Sequence, residues 1–309
     1  MMHITVIIAT YNRALTLKKC LESLASLKIE NFSVDFIVID NNSTDNTKEI
    51  VNSFHSKLAG QITYLFEQHK GKTTALNTAI NHAKGDILAF TDDDVIVTPD
   101  WLLKISQCLE INQCDGVGGR ILPNYPLKTP NWIKANADLL VGPIIMYDYG
   151  EDTKIFKKPM YEFLGANFAF KRTVFKDCGM FRTDIGPGKG KFGDDTELIN
   201  RFLKAGKKLY YCGSATVWHP VENNRMSLFY IGKWFYGLGK YRIIVDQQGH
   251  PKNVASFFNV PRYLIRRILI NAGLLFLNIF NQRNFLKSYI EIFIDLGRAS
   301  ELKRLIKKS

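Results

Sequence analysis

Aspartates stand next to one another at two places in the sequence, in Asp92-Asp93-Asp94 and in Asp194-Asp195. Adjacent carboxylates repel each other unless a cation or a hydrogen-bond donor offsets their charge. Their hard oxygen atoms suit Mg²⁺ or Mn²⁺, which proteins bind through one or two carboxylates together with substrate phosphates. The triplet therefore indicates a divalent-cation site. A solvated acidic turn that caps the helix at Pro99 is the alternative.

The second acidic pair follows Gly193 and precedes an apolar helical pattern over 194–205. A helix N-terminus stabilises a carboxylate as the anion. Such a carboxylate could serve as a general base beside a mobile glycine-rich loop, which we predict over Gly186–Gly193. Simple capping of the helix is the alternative for Asp194 and Asp195.

Polar residues that follow two apolar runs could bind a nucleotide. Asp40 ends the run FSVDFIVID, and its carboxylate could accept a hydrogen bond from a base N–H or a ribose hydroxyl. Thr10, Tyr11 and Arg13 could hold a nucleotide by hydrogen bonding, stacking and charge. An Asx turn at Asp40 and an ordinary loop at 10–13 are the alternatives.

One histidine could add a nitrogen ligand to the carboxylates. His219 lies in Trp218-His219-Pro220 after a predicted strand, and imidazole with nearby carboxylates makes a mixed metal site. A purely structural histidine is the alternative. Because the candidates come from distant parts of the chain, the fold must bring them together.

Strands and helices alternate along the first part of the chain. Apolar, β-branched runs predict strands at His3–Thr10, Phe32–Asp40, Ile62–Glu67 and Ile87–Thr91. Helical spacing and capping residues predict helices at 14–26, from Ser43 or Thr44 to 54, and at 73–83. This alternation is typical of an α/β fold with a doubly wound, mostly parallel sheet. In such sheets ligands bind beyond the carboxyl ends of the strands.

The following part of the chain is less regular. We predict strands at 114–120, 208–212 and 216–219, and at 163–171 a Gly-Ala-Asn turn before an apolar run. Five prolines between 121 and 160 predict a long irregular segment that lines a site.

Length, composition and charge limit the possible architectures. The chain has 309 residues, which is room for about two domains. Its 46% hydrophobic and 23% charged residues exclude disorder, collagen and coiled coil as the main architecture. Residues 1–222 carry 26 basic and 25 acidic side chains, whereas residues 223–309 carry 15 and 4. We therefore predict a main domain over 1–222 and a basic, aromatic, helical tail over 223–309.

Basic and aromatic residues alternate in this tail, for example in Lys233-Trp234-Phe235-Tyr236 and Arg262-Tyr263. One hypothesis is an interfacial helical segment over 225–309 on an anionic membrane, where each Lys or Arg adds about 1 kcal/mol. The alternative is a helical cap on the main domain. The apolar run 268–280 is shorter than the roughly 20 residues that cross a bilayer, so we expect no spanning helix there.

Cysteines and the N-terminus indicate the compartment. The odd number of cysteines and the absence of a C-x-x-C pair favour free thiols in a reducing cytosol over a disulfide scaffold or a zinc ribbon. The N-terminus lacks the basic and apolar segments of a signal peptide. We expect a cytoplasmic protein, attached peripherally to the inner face of the membrane if the tail binds lipid.

Seven segments, in this order, resemble the family 2 glycosyltransferases of GT-A fold: VIIATYNRALTLKKCLESL, VIDNNSTDNT, HKGKTTALNTAI, GDILAFTDDDV, FLGANFAFKR, FGDDTELINRFLKAG and VWHP. The resemblance covers about residues 3–220. It implies a Rossmann-like, mostly parallel central sheet flanked by helices, with the basic helical tail as an extension. It also implies a nucleotide-binding half over about 1–120 and an acceptor half over about 121–222.

The resemblance further implies a nucleotide site. The matched residues are Thr10, Tyr11, Arg13, Asp40, Asn42, Lys70, Lys72, Asp92 and Asp93. Among them, Asp40 would contact the base and Asp92 the ribose. Lys70 or Lys72 would lie near the base or the phosphates.

Metal, base and acceptor residues are implied in the same way. Asp94 and His219 would hold Mn²⁺ or Mg²⁺ on the pyrophosphate. Asp195 would be the general base, but the motif reads Asp-Asp where the family has Glu-Asp, so Asp194 stays an alternative. Sugar and acceptor would meet Gly165, Asn167 and Trp218.

The implied reaction is inverting transfer of a sugar from a nucleoside diphosphate, usually UDP, to a hydroxyl of a glycan or lipid-linked saccharide in cell-surface polysaccharide or glycoconjugate synthesis. A sugar-1-phosphate nucleotidyltransferase is a second hypothesis, but it would carry a glycine-rich loop where this chain has ATYNRA. A nucleic-acid-binding protein is a third, but its basic groups would form phosphate-tracking stripes. Since residues 1–222 are nearly neutral, we expect no nucleic-acid partner.

Overall fold

A computed structural model describes residues 1–156, 165–187, 193–245, 255–257 and 260–306. They group into two compact units. The first includes the described parts of Met1–Asn124, Ile145–Gly190 and Asp194–Pro220, and the second those of Tyr125–Ile144, Lys191–Gly193 and Val221–Ser309. The main division at Pro220 lies two residues from the predicted one, but Tyr125–Ile144 groups with the tail rather than with the predicted acceptor half.

A nine-stranded sheet forms the centre of the first unit. Its strands are β1 Met2–Thr10, β2 Phe32–Asp40, β3 Ile62–Phe66, β4 Ile87–Asp92, β5 Ile96–Val97, β6 Gly116–Asn124, β7 Thr153–Ile155, β8 Phe168–Lys171 and β9 Leu209–Pro220. They lie in the order β3-β2-β1-β4-β8-β6-β9-β5, and β7 also pairs with β9. The first four pair in parallel, β8 runs antiparallel between β4 and β6, and β9 is parallel to β6.

Six helices accompany this sheet in the described part of the first unit. They are α1 Ala14–Leu24, α2 Thr47–Asn52, α3 Lys72–His82, α4 Trp101–Asn112, α6 Arg172–Cys178 and α7 Asp194–Lys204. A fifth helix in chain order, α5 Asn131–Ala135, belongs to the second unit.

Both faces of the sheet are buried, which explains why its central strands are almost continuously apolar. Side chains alternate along β1, so Ile4, Val6 and Ile8 join a core cluster with Leu17 and Leu21 of α1. Ile7, from the opposite face, joins a second cluster that contains apolar residues of α3, α6 and α7. The helices therefore cover the sheet on two sides, as the predicted α/β architecture requires.

The carboxyl ends of three parallel strands meet at one edge of the sheet. Thr10 is paired in register with Asp40, and Ala9 with Asp92. Polar residues that are separated by tens of positions in the sequence therefore become neighbours at this edge.

Three local predictions differ from the structure. β9 is one strand rather than two, because the register with β6 jumps between Gly119 and Arg120 and the skipped residues 213–215 form a bulge. α2 begins at Thr47 after the N-cap Asn46, not at Ser43 or Thr44. The segment 121–160 contains the end of β6, α5 and β7. Of the predicted glycine-rich loop, residues 188–192 lie outside the described residues, as do 163–164 of the segment 163–171.

The second unit is largely helical. Its longer elements are α8 Leu228–Val245, β10 Ser256–Phe257, β11 Val260–Pro261, α9 Arg262–Leu277 and α10 Gln282–Ile306. Arg267 of α9 pairs with Glu291 and Asp295 of α10, so the two helices lie side by side. In the part of the chain that the structure describes, no helix combines the length and apolarity needed to cross a bilayer.

Candidate active site

The predicted metal ligands come together. Asp92, Asp94 and His219 each offer one ligand atom, and these atoms lie within 4.8 Å of one another. β4 ends at Asp92, the following turn carries Asp94, and β9 carries His219. Asp94 Oδ1 lies 3.2 Å from His219 Nε2, and both residues are buried.

Hydrogen bonding determines which ring nitrogen of His219 faces the carboxylates. His219 Nδ1 lies 2.9 Å from the carbonyl oxygen of Pro220. A carbonyl can only accept, so Nδ1 carries a proton, and Nε2 is the ring nitrogen that faces Asp94. Oδ1 of Asp94 is buried and has no hydrogen-bond partner. An unpartnered carboxylate oxygen beside an imidazole nitrogen suits a bound cation, so Mn²⁺ or Mg²⁺ fits this set of oxygen and nitrogen donors.

Arg13 and Thr10 bind the remaining carboxylate of the triplet. The Arg13 guanidinium lies 3.1 Å from Asp93 and 2.6 Å from Asp94, and the Thr10 hydroxyl donates to Asp93 across 2.7 Å. Burial raises the pKa of Asp93 to about 7. The charge of Arg13 lowers this pKa, and the negative charge of Asp94 raises it. Asp93 and Arg13 therefore bind each other at the strand ends, and their predicted contacts with a nucleotide remain predictions.

Lys72 connects the acidic triplet with the second acidic pair. It begins α3, and its ammonium forms an ion pair with Asp92. Burial alone would lower the pKa of Lys72, but the charges of Asp92, Asp195 and Asp194 raise it. In turn, burial would raise the pKa of Asp92, but Lys72 and His219 hold it below its ordinary value. One partly buried cation thus interacts with carboxylates from both motifs.

Asp195 has the environment of a proton acceptor. Its Oδ2 accepts the Gly165 backbone N–H across 2.7 Å, whereas its buried Oδ1 has no hydrogen-bond partner. Burial and the charge of Asp194 raise the pKa of Asp195 to about 8, while Lys72 lowers it. Burial also raises the pKa of Asp194. One oxygen of the Asp195 carboxylate is thus held and the other is unpaired, and the charge of Lys72 acts on the carboxylate.

Asp40 binds the backbone three residues on, a local role similar to the Asx turn that is the alternative to base contact. Its Oδ1 accepts the backbone N–H of Ser43 across 2.8 Å, and its Oδ2 accepts the hydroxyl of Tyr64 across 2.7 Å. Each carboxylate oxygen can accept a second hydrogen bond, so the predicted base contact stays possible chemically and remains a prediction. Tyr64 was not a sequence candidate. Only the parallel register of β2 with β3 brings its hydroxyl to Asp40.

Loops around Asp40 carry the other predicted nucleotide residues. Tyr11 is 46% exposed, and the Lys70 ammonium lies 5.9 Å from the centre of its ring. Asn42 makes a long 3.5 Å hydrogen bond to the carbonyl of Gln68. Asn41 was not a sequence candidate. Its side-chain NH₂ donates to the backbone carbonyls of 67 and 69, and its side-chain oxygen accepts the N–H of Gly71, so it holds the loop that carries Lys70.

The predicted sugar and acceptor residues occupy different surroundings. Gly165 contacts Asp195. Asn167 is buried, and its amide bonds Trp101 and the carbonyls of Arg120 and Ala215. Trp218 is 41% exposed and precedes His219 in β9, so the two side chains point to opposite faces. Of these three residues, Gly165 is the one that hydrogen-bonds to an aspartate of the two acidic motifs. The sugar and acceptor roles of all three remain predictions.

Comparison with known proteins identifies the family of this chain. Residues 5–179 match the model of a family described as Glycosyl transferase family 2. The succinoglycan biosynthesis protein ExoM of Rhizobium meliloti (strain 1021) is 25% identical over 235 residues, which cover 75% of this chain and 71% of that protein.

Solved structures show the same fold. The mannosyltransferase PcManGT from Pyrobaculum calidifontis, in complex with GDP-Man and Mn²⁺, matches with a TM-score of 0.60 and 19% identity, over 99% of this chain and 75% of that one. S. aureus TarS in complex with UDP-GlcNAc matches with a TM-score of 0.56 and 14% identity, over 99% of this chain and 92% of that one. These matches confirm the predicted GT-A architecture. Because the matched family model spans more than half of its length, the chain belongs to the family 2 glycosyltransferases.

Proposed function

We propose that this glycosyltransferase moves a sugar, with inversion, from a nucleoside-diphosphate sugar to a hydroxyl of a glycan or lipid-linked saccharide with the help of a divalent cation. The observation that carries the proposal is the position of Lys72, which pairs with Asp92 and is acted on by the charge of Asp195. These interactions support one cluster that contains the proposed cation site and the proposed proton acceptor. Metal-assisted inverting transfer uses both.

Asp94 and His219 would hold Mn²⁺ or Mg²⁺, with Asp92 beside them. When bound, the cation would supply Lewis-acid stabilisation for the negative charge of the departing diphosphate. Arg13 supports the site by offsetting the negative charges of Asp93 and Asp94. The Asp40 side chain, held by Ser43 and Tyr64, would accept a further hydrogen bond from the base.

Asp195 would take the proton from the acceptor hydroxyl while the hydroxyl oxygen attacks the anomeric carbon. The attack comes from the face opposite the diphosphate, so one displacement inverts the configuration without a covalent glycosyl intermediate. Gly165 holds one oxygen of Asp195, which leaves the unpaired Oδ1 to accept the proton. Lys72 opposes the effect of burial on the pKa of Asp195 and so keeps more of it ionised.

We propose the donor and the acceptor only as classes of compound. The matched structures hold GDP-Man in one case and UDP-GlcNAc in the other, and we favour a UDP-linked donor. The name of the matched succinoglycan biosynthesis protein supports a role in the synthesis of cell-surface polysaccharide or glycoconjugates. We assign Gly165, Asn167 and Trp218 to the sugar and acceptor side. We also propose that the protein acts in the cytoplasm at the inner face of the membrane, which it contacts through residues 225–309.

The test is donor hydrolysis across a panel of UDP- and GDP-sugars, with Mn²⁺, with Mg²⁺ and with a chelator. We expect hydrolysis of a UDP-sugar that depends on added cation. Asp94→Asn should weaken the cation-dependent binding of UDP, whereas Asp195→Asn should leave it intact and abolish transfer. Hydrolysis that is unaffected by chelation would contradict the proposed cation.

A further inference from the structure

The outward face of α9 is apolar along most of its length. Among its exposed side chains, Leu269 is 67% exposed, Phe276 77% and Leu277 76%. The turn that follows continues this surface, with Ile279 60% and Phe280 100% exposed. Isolated apolar residues on a surface are ordinary, but a continuous patch of this kind marks an interaction site. We call this surface the α9 face, defined by 269–280.

Basic residues border the α9 face at both ends. The stretch 268–282 contains no charged residue, and it lies between Arg266-Arg267 and Arg283. Arg267 and Arg283 are paired with Glu291 and Asp138. Within the described residues, no carboxylate pairs with the exposed Arg262, Arg266 or Lys287. The rim of the face therefore carries uncompensated positive charge.

An apolar cavity adjoins the same face. It has a volume of about 530 Å³, and its lining includes Trp132, Leu228, Ile279, Phe280 and Phe285. Phe280, which is fully exposed on its outer side, thus borders an opening large enough for a hydrocarbon chain.

We propose that the α9 face is a docking surface for a bilayer with anionic lipids, with the turn at 279–280 inserted among the acyl chains and the arginine rim at the headgroups. This inference names the part of residues 225–309 that makes the proposed membrane contact and rests on that part of the proposed function. α9 has 16 residues, about 24 Å of helix, and the hydrocarbon core is about 30 Å thick. A helix of this length that packs on α10 along its other face lies in the interface plane.

Charge selects the bilayer over a second copy of this chain. A two-fold interface would pair the face with itself and bring basic rim residues of both copies together. The nearby carboxylates of Asp138 and Glu291 are already engaged. An anionic surface, by contrast, attracts each basic residue at the rim.

Co-sedimentation of the full chain with vesicles tests the proposal. Vesicles of phosphatidylcholine with phosphatidylglycerol should bind the protein, more weakly at high salt, and pure phosphatidylcholine should bind it less. The double variant Leu277→Glu/Phe280→Glu should lower partitioning by at least about tenfold. Ile111→Glu, at an 80% exposed position of α4, is the matched control and should have no effect.

A charge reversal tests the rim separately. Arg266→Glu should weaken binding to the anionic vesicles by at least about fivefold. Lys19→Glu, an equal change of charge at an exposed position of α1, should change it little. Equal sedimentation of all variants would overturn the proposal. So would a dimer of the parent protein in lipid-free buffer that the double variant converts to a monomer, because a second copy would then cover the face.

Donor hydrolysis in lipid-free buffer distinguishes this inference from the proposed reaction. The α9 variants should hydrolyse donor as the parent does. If no form hydrolyses any donor while vesicle binding follows the expected pattern, the reaction is wrong and the docking surface stands. If hydrolysis occurs but no vesicle is bound, the docking surface is wrong and the reaction stands.

Discussion

Gly165 and Asp195 are in direct contact. The Gly165 backbone N–H donates to Oδ2 of Asp195 across 2.7 Å, and a Cβ at position 165 would lie 2.8 Å from both carboxylate oxygens. Only a glycine can approach the carboxylate this closely with its N–H. The proposed base is therefore positioned by a residue without a side chain, from a different part of the sequence.

Replacement of Gly165 by alanine should displace the Asp195 carboxylate while the backbone N–H remains. We expect transfer to fall about a hundredfold, because small errors in the position of a reacting group are costly. UDP binding, measured by calorimetry, should change little. Gly273→Ala is the matched control, since a Cβ there meets nothing within 4 Å. Full transfer activity in Gly165→Ala would show that the contact does not position the base.

Asparagine at position 195 should separate the roles of the two neighbouring acids. Asp195→Asn keeps the shape but removes the proton acceptor, so transfer should fall by about 10² to 10⁴-fold. Asp194→Asn should have a smaller effect on transfer. Single-turnover rates and UDP affinity should be measured for both variants. A larger loss in Asp194→Asn would assign the base to Asp194 instead.

The pH dependence of kcat/KM should report the ionisation of Asp195. A base must be deprotonated to accept a proton, and burial raises the pKa of Asp195 to about 8. The rate should therefore rise with pH through that region. Since Lys72 lowers the pKa of Asp195, Lys72→Met should shift the rising limb to higher pH by at least about one unit. Lys70→Met removes the same charge beside the Tyr11 ring and should shift the rising limb less. An equal shift in both variants would show that Lys72 has no specific effect on Asp195.

Loss of a cation ligand should weaken nucleotide binding only when the cation is present. Asp94→Asn or His219→Ala should reduce Mn²⁺-dependent UDP affinity by at least about tenfold, because the diphosphate then loses a held positive charge. Mn²⁺ binding can be followed by electron paramagnetic resonance and UDP binding by calorimetry. His55→Ala, at an exposed position, serves as the control. Unchanged Mn²⁺ binding in both ligand variants would place the cation elsewhere.

Asn167 offers a test between support of the fold and contact with the sugar. Its amide accepts from Trp101 and donates to the carbonyls of Arg120 and Ala215, at 2.8 to 2.9 Å. Asn167→Ala leaves these buried groups unpaired and should lower the free energy of unfolding by about 2 to 4 kcal/mol. Denaturant unfolding measures this. An unchanged stability with a raised KM for the donor would favour the predicted sugar contact.

Local patterns in the sequence were sufficient for the architecture and for most site candidates. The apolar runs at β1, β2 and β4 and the amphipathic α1 and α3 predict a covered parallel sheet, because residues buried on both faces leave no polar alternation. Asp40 and Asp92 could be placed at strand ends for the same reason. His219 and Asp195 were named as candidates by residue type and neighbourhood, without knowledge of what they would contact.

Tertiary structure decided how these groups act on each other. The contacts of His219 with Asp94, Lys72 with Asp92, and Gly165 with Asp195 join positions separated by 20 to 125 residues, and no local pattern specifies them. The packing of strands, helices and loops sets them, and strand register sets the Tyr64 bond to Asp40 and the bulge that makes β9 continuous. Burial then raises the pKa of Asp195, an effect that the bare sequence cannot contain because it depends on which atoms exclude water.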